Sequence, residues 1–200
     1  DRGIPVIEDC AQAFGARYRA RPVGAFGVLS VLSLYATKLF TTGEGGMVLG
    51  RDRRLLARIR DLRDYDERRR HAVRYNYKLT DVQAALGRSQ LRRLPAMLAR
   101  RAALAARFRR RWAGLPVGLP AAGSDRTHVY HRFVVSCPRS AAAAARQLLA
   151  LGVAARPPVF QPIHRALGSE GFPGSEHAYR HALSVPIYPA LPPQEAEAVI

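Results

Sequence analysis

The stretch Ser33-Leu34-Tyr35-Ala36-Thr37-Lys38 follows an apolar, β-favouring segment and leads into a glycine-rich turn, Thr42-Gly43-Glu44-Gly45-Gly46. Lys38 is one of only two lysines among 32 basic residues, and all the others are arginine. A lysine amine can lose its proton and attack a carbonyl to form a Schiff base, which a guanidinium cannot do. The stretch therefore marks Lys38 as a candidate nucleophile, the alternative being a solvated surface lysine.

A carboxylate follows another apolar run, twenty-nine residues before Lys38. Residues 4–7 (Ile-Pro-Val-Ile) predict a short buried strand, with Asp9 just past its C-terminal end. In open α/β sheets, ligands bind outside the carboxyl ends of the strands. A binding site for pyridoxal 5′-phosphate requires an amine and a carboxylate, and these two strand ends would provide them. The carbonyl of this cofactor condenses with a lysine amine, and a carboxylate keeps its ring nitrogen protonated. We expect Lys38 and Asp9 to be the catalytic pair.

Four motifs in order carry a family resemblance. They are Ile-Glu-Asp-Cys-Ala-Gln-Ala (7–13), Ser-Leu-Tyr-Ala-Thr-Lys (33–38), Thr-Gly-Glu-Gly-Gly-Met-Val (42–48) and Tyr-Asn-Tyr-Lys-Leu-Thr-Asp-Val-Gln-Ala-Ala (75–85). Together they resemble the sugar aminotransferases of the DegT/DnrJ/StrS type, and the resemblance continues through residues 160–164 and 183–189. It implies a pyridoxal-phosphate enzyme that moves an amino group from glutamate or glutamine to a keto sugar, and we expect that sugar to be nucleotide-linked. Relatives that dehydrate sugars carry histidine in place of Lys38, so the lysine favours transamination.

The resemblance also implies roles for five further residues. Gln12 corresponds to a residue near the ring oxygen of the cofactor, and Ser33 to a serine that contacts its phosphate. Asn76 corresponds to an asparagine that reaches the phosphate of the neighbouring subunit's cofactor, which implies a homodimer with shared active sites. Tyr75 and His164 correspond to positions that line the substrate pocket. The alternatives are a helix-start amide for Gln12, a solvated loop around Asn76 and a solvated surface histidine for His164.

The expected fold class is α/β. Residues 1–114 are predicted to be the C-terminal part of a fold-type-I large domain, with a mixed or parallel sheet and long helices, and residues 115–200 a small α+β domain. The pattern predicts strands at 28–35, 47–49, 129–136 and 153–155. It predicts helices at 53–63, 80–94, from Pro95 to about 113, 140–151, 175–183 and from 193, with a loop at 161–164.

Composition narrows the possible partners. A net charge of +17 is compatible with a basic nucleic-acid-binding module. The arginines are spread along helices between alanines and leucines, however, so we expect no nucleic acid and consider an anionic small molecule the better partner. The sequence contains neither a membrane-length apolar run nor a signal-peptide pattern, and Cys10 and Cys137 lack metal-ligand spacing. We expect a cytoplasmic protein that binds no metal.

Both ends of the sequence lead to a further expectation. Asp1-Arg2-Gly3 enters a strand directly, and the helix from residue 193 stops after about two turns of helix. We expect a longer chain, because the resembling family has a preceding part with a phosphate-binding turn and an aromatic that stacks on the cofactor. An alternative is therefore a non-catalytic fragment or a regulatory protein on the same fold.

Overall fold

The computed structural model describes residues 2–200, which form two compact units. The first unit contains the residues up to Met97 together with Ser124–Val129. The second contains Leu98–Gly123 and Tyr130–Ile200. Asp1, where the predicted large-domain portion starts, lies outside the described residues. The domain division at residue 114 stays a prediction for the whole protein.

Strands and helices are mixed along the chain, as the sequence predicts. The strands are β1 (Ile7–Asp9), β2 (Arg17–Tyr18), β3 (Arg21–Pro22), β4 (Leu29–Ser33), β5 (Gly46–Gly50), β6 (Phe133–Ser136) and β7 (Ala182–Val185). The helices are α1 (Arg53–Leu62), α2 (Asp81–Arg111), α3 (Ala141–Ala150), α4 (Ile163–Ala166), α5 (Pro173–His181) and α6 (Pro193–Val199).

The first unit is built on a three-stranded mixed sheet with the strand order β1-β4-β5. β1 runs parallel to β4, with Asp9 opposite Val31, and β4 runs antiparallel to β5. Because parallel strands end at the same edge of a sheet, the carboxyl ends of β1 and β4 lie side by side. A two-stranded antiparallel hairpin, β2–β3, lies between β1 and β4 in the sequence.

The expectation of a buried strand at residues 4–7 is wrong. β1 begins only at Ile7, and Asp9 is its last residue rather than a residue beyond it. Ile4 is 71% exposed and Ile7 is 62% exposed. β1 is an edge strand of the described sheet, and the described residues supply no layer that covers its apolar side chains. An apolar run predicts burial only when the rest of the fold supplies that layer.

A single helix, α2, replaces the two helices predicted around Pro95. Proline removes one backbone donor, which leaves the carbonyl of Leu91 without its helical partner. Leu91 and Pro95 are both exposed, so water can satisfy that carbonyl, and the alanine- and leucine-rich sequence on both sides continues the helix. The predicted capping box is confirmed. Thr80 Oγ1 accepts from the Gln83 N–H at 3.3 Å, and Gln83 Oε1 accepts from the Thr80 N–H at 3.0 Å.

The core of the second unit is aromatic and lies against the antiparallel pair β6–β7. The ring of Phe133 on β6 lies 5.4 Å from Phe108 on α2 and 5.8 Å from Trp112, which directly follows that helix. The sequence pattern does not predict β7, because the helix predicted at 175–183 overlaps its first residues. The alternation of buried Leu183 and Val185 with half-buried neighbours is the strand signal.

Other predictions in this unit have mixed outcomes. Ser140 caps α3 through its hydroxyl, as expected, and Gly152 follows the helix with a φ of +82°. The strand predicted at 153–155 is wrong, since only an isolated bridge between Arg156 and Ser184 forms there. Residues 163–166 are the short helix α4 instead of a loop.

Candidate active site

A carboxylate and a hydroxyl occupy the sheet edge at the ends of the two parallel strands. Asp9 ends β1 and Ser33 ends β4. Oδ1 of Asp9 accepts from the Ala11 N–H at 3.0 Å, which holds the exposed carboxylate in place. Ser33 Oγ accepts from the Tyr35 N–H at 3.3 Å, so its own proton stays available for a ligand.

Lys38 lies in the loop that follows β4. Its backbone N–H donates to the Tyr35 carbonyl at 2.9 Å, and the side chain is half-buried. Within residues 2–200, the Lys38 amine has no hydrogen-bond or ion-pair partner. Lys78 differs, because its amine contacts Asp64 at 3.1 Å and Asp66 at 2.5 Å. Hydrogen bonds to Asp66 and then Asp64 raise the pKa of Lys78, which keeps that amine protonated and tied.

The lysine loop, residues 34–45, closes on itself through backbone hydrogen bonds. The Leu34 N–H donates to the Gly45 carbonyl at 2.9 Å, and the Leu34 carbonyl accepts from the Thr42 N–H at 3.0 Å. Leu34 and Phe40 are buried and anchor the loop. Gly45 has a φ of +135°, and a Cβ there would lie 2.8 Å from Leu79 Cδ1. The backbone conformation at this position therefore favours glycine, and a larger residue would also require Leu79 to shift.

Two glutamines on α2 hold the lysine loop in place through hydrogen bonds to its backbone. This role is not among those predicted from the sequence. Gln90 makes a reciprocal pair with the backbone of Thr41: Oε1 accepts from the N–H at 3.1 Å, and Nε2 donates to the carbonyl at 2.8 Å. Gln83 Nε2 donates to the Glu44 carbonyl at 3.2 Å. The available signal is their spacing of seven residues, which places both glutamines on one face of a helix.

Glu8 is a second group that sequence analysis misses. Its carboxylate accepts from the backbone N–H groups of Gly24, Phe26 and Gly27, each at 2.7 Å. Desolvation raises the pKa of Glu8, but these N–H groups together outweigh it and hold the pKa below its usual value. Glu8 lies on β1, the strand that ends in Asp9. Its carboxylate thereby holds in place the loop that precedes β4.

The segment that contains Tyr75 and Asn76 is attached to the end of α1. The Tyr75 N–H donates to the Leu62 carbonyl at 2.8 Å, and the Tyr77 N–H donates to the Arg63 carbonyl at 3.0 Å. The rings of Tyr75 and Tyr77 stack with centroids 4.9 Å apart. Asn76 is exposed between them, and its side chain has no hydrogen-bond partner in the described part of the chain. The segment is therefore held at both sides of Asn76.

Gln12 and His164 have surroundings that sequence analysis does not anticipate. Gln12 is exposed in a turn closed by the Ala13 N–H and the Cys10 carbonyl at 3.0 Å, so it is not at a helix start. His164 belongs to the second unit and is 8% exposed, which excludes a solvated surface histidine. Its Nε2 lies 2.9 Å from Glu176 Oε1.

None of the helices formed by residues 2–200 is both long and apolar enough to cross a bilayer.

Comparison with known proteins identifies what the chain is similar to. The model of the DegT/DnrJ/EryC1/StrS aminotransferase family matches residues 1–200. The chain is 36% identical to dTDP-3-amino-3,4,6-trideoxy-alpha-D-glucose transaminase of Streptomyces venezuelae over 210 residues, which is 99% of this chain and 55% of that protein. It is also 36% identical to GDP-perosamine synthase of Caulobacter vibrioides over 170 residues, covering 80% of this chain and 46% of that protein.

The fold also matches a solved aminotransferase structure. The solved structure of the aminotransferase TlmJ from Streptoalloteichus hindustanus matches with a TM-score of 0.90 and 30% identity, covering 99% of this chain and 57% of that one. The chain thus spans about half the length of the relatives it matches. The predicted α/β fold class is confirmed.

Proposed function

Because this chain belongs to the DegT/DnrJ/EryC1/StrS aminotransferase family, we propose that the whole protein transfers an amino group from an amino acid to a nucleotide-linked keto sugar with pyridoxal 5′-phosphate. One observation carries the proposal. Lys38 follows β4, its amine has no partner among the described residues, and the parallel neighbour of β4 ends in the Asp9 carboxylate. The relatives named for a dTDP-sugar and for GDP-perosamine support a nucleotide-linked substrate.

The residues present fit this cofactor. Pyridoxal phosphate supplies an aldehyde that condenses with amines and a protonated ring that withdraws electrons from the reacting carbon. Lys38 would hold the cofactor through its amine. Asp9 has one oxygen fixed by the Ala11 N–H, which orients the carboxylate to hold a proton on the ring nitrogen. Ser33 offers a hydroxyl to the phosphate, and Gln12 an amide near the ring oxygen.

The chain's own part in the reaction is proton transfer. With pyridoxal phosphate and the amino donor bound, the free Lys38 amine would hold and move the proton of the donor's α-carbon, which is general acid–base work. An arginine at the same position would stay protonated and could not act in this way. In the second half of the reaction, the same amine would deliver a proton to the carbon of the sugar that becomes aminated.

We extend the proposal to a homodimer in the cytoplasm. Asn76 would serve the phosphate of the neighbouring subunit's site, and Tyr75 and His164 would contact the substrate. The attachment of the 75–77 segment to α1 supports a fixed position for Asn76. The unpaired cysteines Cys10 and Cys137 support a reducing compartment.

A matched pair of lysine variants tests the function. In the whole protein, Lys38→Arg should abolish amino transfer to a nucleotide-linked keto sugar, while Lys78→Arg should retain it because Lys78 serves only an ion pair. Borohydride reduction followed by peptide mapping should locate the cofactor on Lys38. Mapping that finds the adduct on Lys78, or an active Lys38→Arg enzyme, would refute the assignment.

A further inference from the structure

Arg74 joins the connection between α1 and α2, residues 63–80, to the end of α1. Its Nε donates to Asp61 Oδ1 at 3.0 Å, and its Nη2 donates to Asp61 Oδ2 at 3.3 Å. Asp61 belongs to the last turn of α1, and the Arg74 side chain is only 10% exposed. Two such hydrogen bonds between a guanidinium and a carboxylate fix orientation as well as distance.

The same guanidinium also closes the connection on itself. Nη1 of Arg74 donates to the Arg70 carbonyl at 2.8 Å, so all three of its nitrogens are engaged. The hydrogen bond from Arg74 is the main cause that holds the pKa of Asp61 below its usual value, so this carboxylate is ionised at neutral pH. Arg58 contacts Asp61 as well, at 3.1 Å, but its side chain is 63% exposed and belongs to α1. Of these two cations, only Arg74 ties the connection to the helix.

Asn76 follows Arg74 by two residues, which span at most about 7 Å of chain. The N–H groups of Tyr75 and Tyr77, on either side of Asn76, donate to carbonyls at the end of α1 at 2.8 Å and 3.0 Å. The hydrogen bonds of Arg74 are charge-assisted and largely shielded from water, and charge-assisted bonds are roughly twice as strong as neutral ones. Arg74 is therefore the main attachment of the Asn76 segment to the helix.

We propose that Arg74 is a positioning residue for Asn76: through its pair with Asp61, it holds the Asn76 segment in place before any cofactor binds. The inference rests on the proposed function, in which Asn76 serves the phosphate of the neighbouring subunit's cofactor. A group that is already held in place binds without the conformational entropy cost of ordering its segment. The pair on one subunit thereby increases the affinity of the neighbouring site for pyridoxal phosphate.

Binding of pyridoxal phosphate to the whole protein, followed by absorbance, tests the inference. Arg74→Met removes the guanidinium and keeps an unbranched side chain, and we expect the affinity to fall about tenfold, the effect of one well-placed hydrogen bond. Arg58→Met is the matched control, because it removes the other cation from the same carboxylate without touching the connection. The control should bind the cofactor as the unaltered protein does. Unchanged affinity of the Arg74→Met protein would overturn the proposal.

A double variant shows whether Arg74 acts through Asn76. Asn76→Ala alone should weaken cofactor binding. Adding Arg74→Met to it should weaken binding no further, because the group that Arg74 holds is then absent. Losses that add up fully would mean that Arg74 affects the cofactor by another route, which contradicts a positioning role.

Hydrogen exchange in the cofactor-free protein is a readout that does not depend on the cofactor. The Tyr75 and Tyr77 amides should be protected in the unaltered protein, and unprotected amides there would refute the proposal whether or not a variant folds. Arg74→Met should accelerate exchange at these two amides and leave the Thr42 amide, in the lysine loop, unchanged. Equal protection of Tyr75 and Tyr77 in the variant would also refute it.

None of these measurements needs an amino donor or a sugar. If the protein transfers amino groups but Arg74→Met leaves cofactor affinity and hydrogen exchange unchanged, the inference fails and the proposed function stands. If Arg74→Met weakens cofactor binding but the unaltered protein transfers no amino group to a nucleotide-linked keto sugar, the proposed function fails and the inference stands.

Discussion

The two lysines of the chain differ in what surrounds their amines. Lys78 lies between Asp64 and Asp66, whose hydrogen bonds raise its pKa, and so it is a structural cation. Lys38 is half-buried, and its amine has no partner among the described residues. A nucleophile needs an amine that can lose its proton and approach a carbonyl. This difference between their surroundings makes Lys38, and not Lys78, the candidate catalytic residue.

The first residue-scale prediction concerns Asp9. Asp9→Asn keeps the size of the side chain and removes the charge that would hold a proton on the ring nitrogen. We expect pyridoxal phosphate still to bind, as followed by absorbance, and the rate of amino transfer to fall by roughly 10²-fold or more, as when a preorganised electrostatic partner is lost.

Asp125→Asn is the matched control for Asp9. Asp125 makes an exposed ion pair with its neighbour Arg126, which contributes little to stability. The control should transfer amino groups at the unaltered rate. Near-normal turnover by the Asp9→Asn enzyme would show that another group protonates the ring.

At the scale of elements, the lysine loop depends on α2. The loop closes through Leu34 and is braced by Gln90, which satisfies both the N–H and the carbonyl of Thr41. Thr41 is partly buried, so these two backbone groups would otherwise lack partners. The helix therefore holds the loop that carries Lys38.

We predict that Gln90→Leu destabilises the protein by about 1–3 kcal/mol, because it leaves backbone groups of Thr41 unsatisfied. Denaturant unfolding of the whole protein measures this change, and hydrogen exchange at the Thr41 amide should accelerate. Gln147→Leu, on the exposed face of α3, is the control and should stay within about 0.5 kcal/mol. Equal stability of the two variants would show that the brace is dispensable.

The proposed dimer belongs to the scale of the whole molecule. The connection between α1 and α2 is long for two helices, since such connections usually have about 2–8 residues. It ends in a segment fixed by hydrogen bonds on both sides of Asn76. In a closed twofold dimer, a loop that reaches the neighbouring site is matched by the same loop reaching back.

Subunit complementation tests this arrangement. Lys38→Ala and Asn76→Ala chains of the whole protein, each weak or inactive alone, are mixed and allowed to exchange. A shared site predicts that one site in each mixed dimer regains both groups, so activity should return to roughly half per dimer. If exchange is demonstrated and activity stays absent, Asn76 does not act across a shared site.

Local signals account for what could be predicted correctly. The Thr80–Gln83 capping box, the Ser140 cap and the α/β fold class each follow from short windows of sequence. The same windows fail where distant residues decide the outcome. Residues 4–7 are apolar and yet exposed. The helix predicted at 175–183 runs into β7, whose partner β6 lies about 50 residues away along the chain.

By itself, the sequence determined the family, the fold class and the identity of the candidate groups Asp9 and Lys38, because these are encoded by residue type and order. Only the tertiary structure revealed the groups that hold the site residues in place. Gln90 and Thr41 are 49 residues apart, Glu8 and Gly27 are 19 apart, and Glu176 meets His164 across 12. Such contacts form when folding brings distant backbone and side-chain groups within hydrogen-bond distance, which no local pattern of residues specifies.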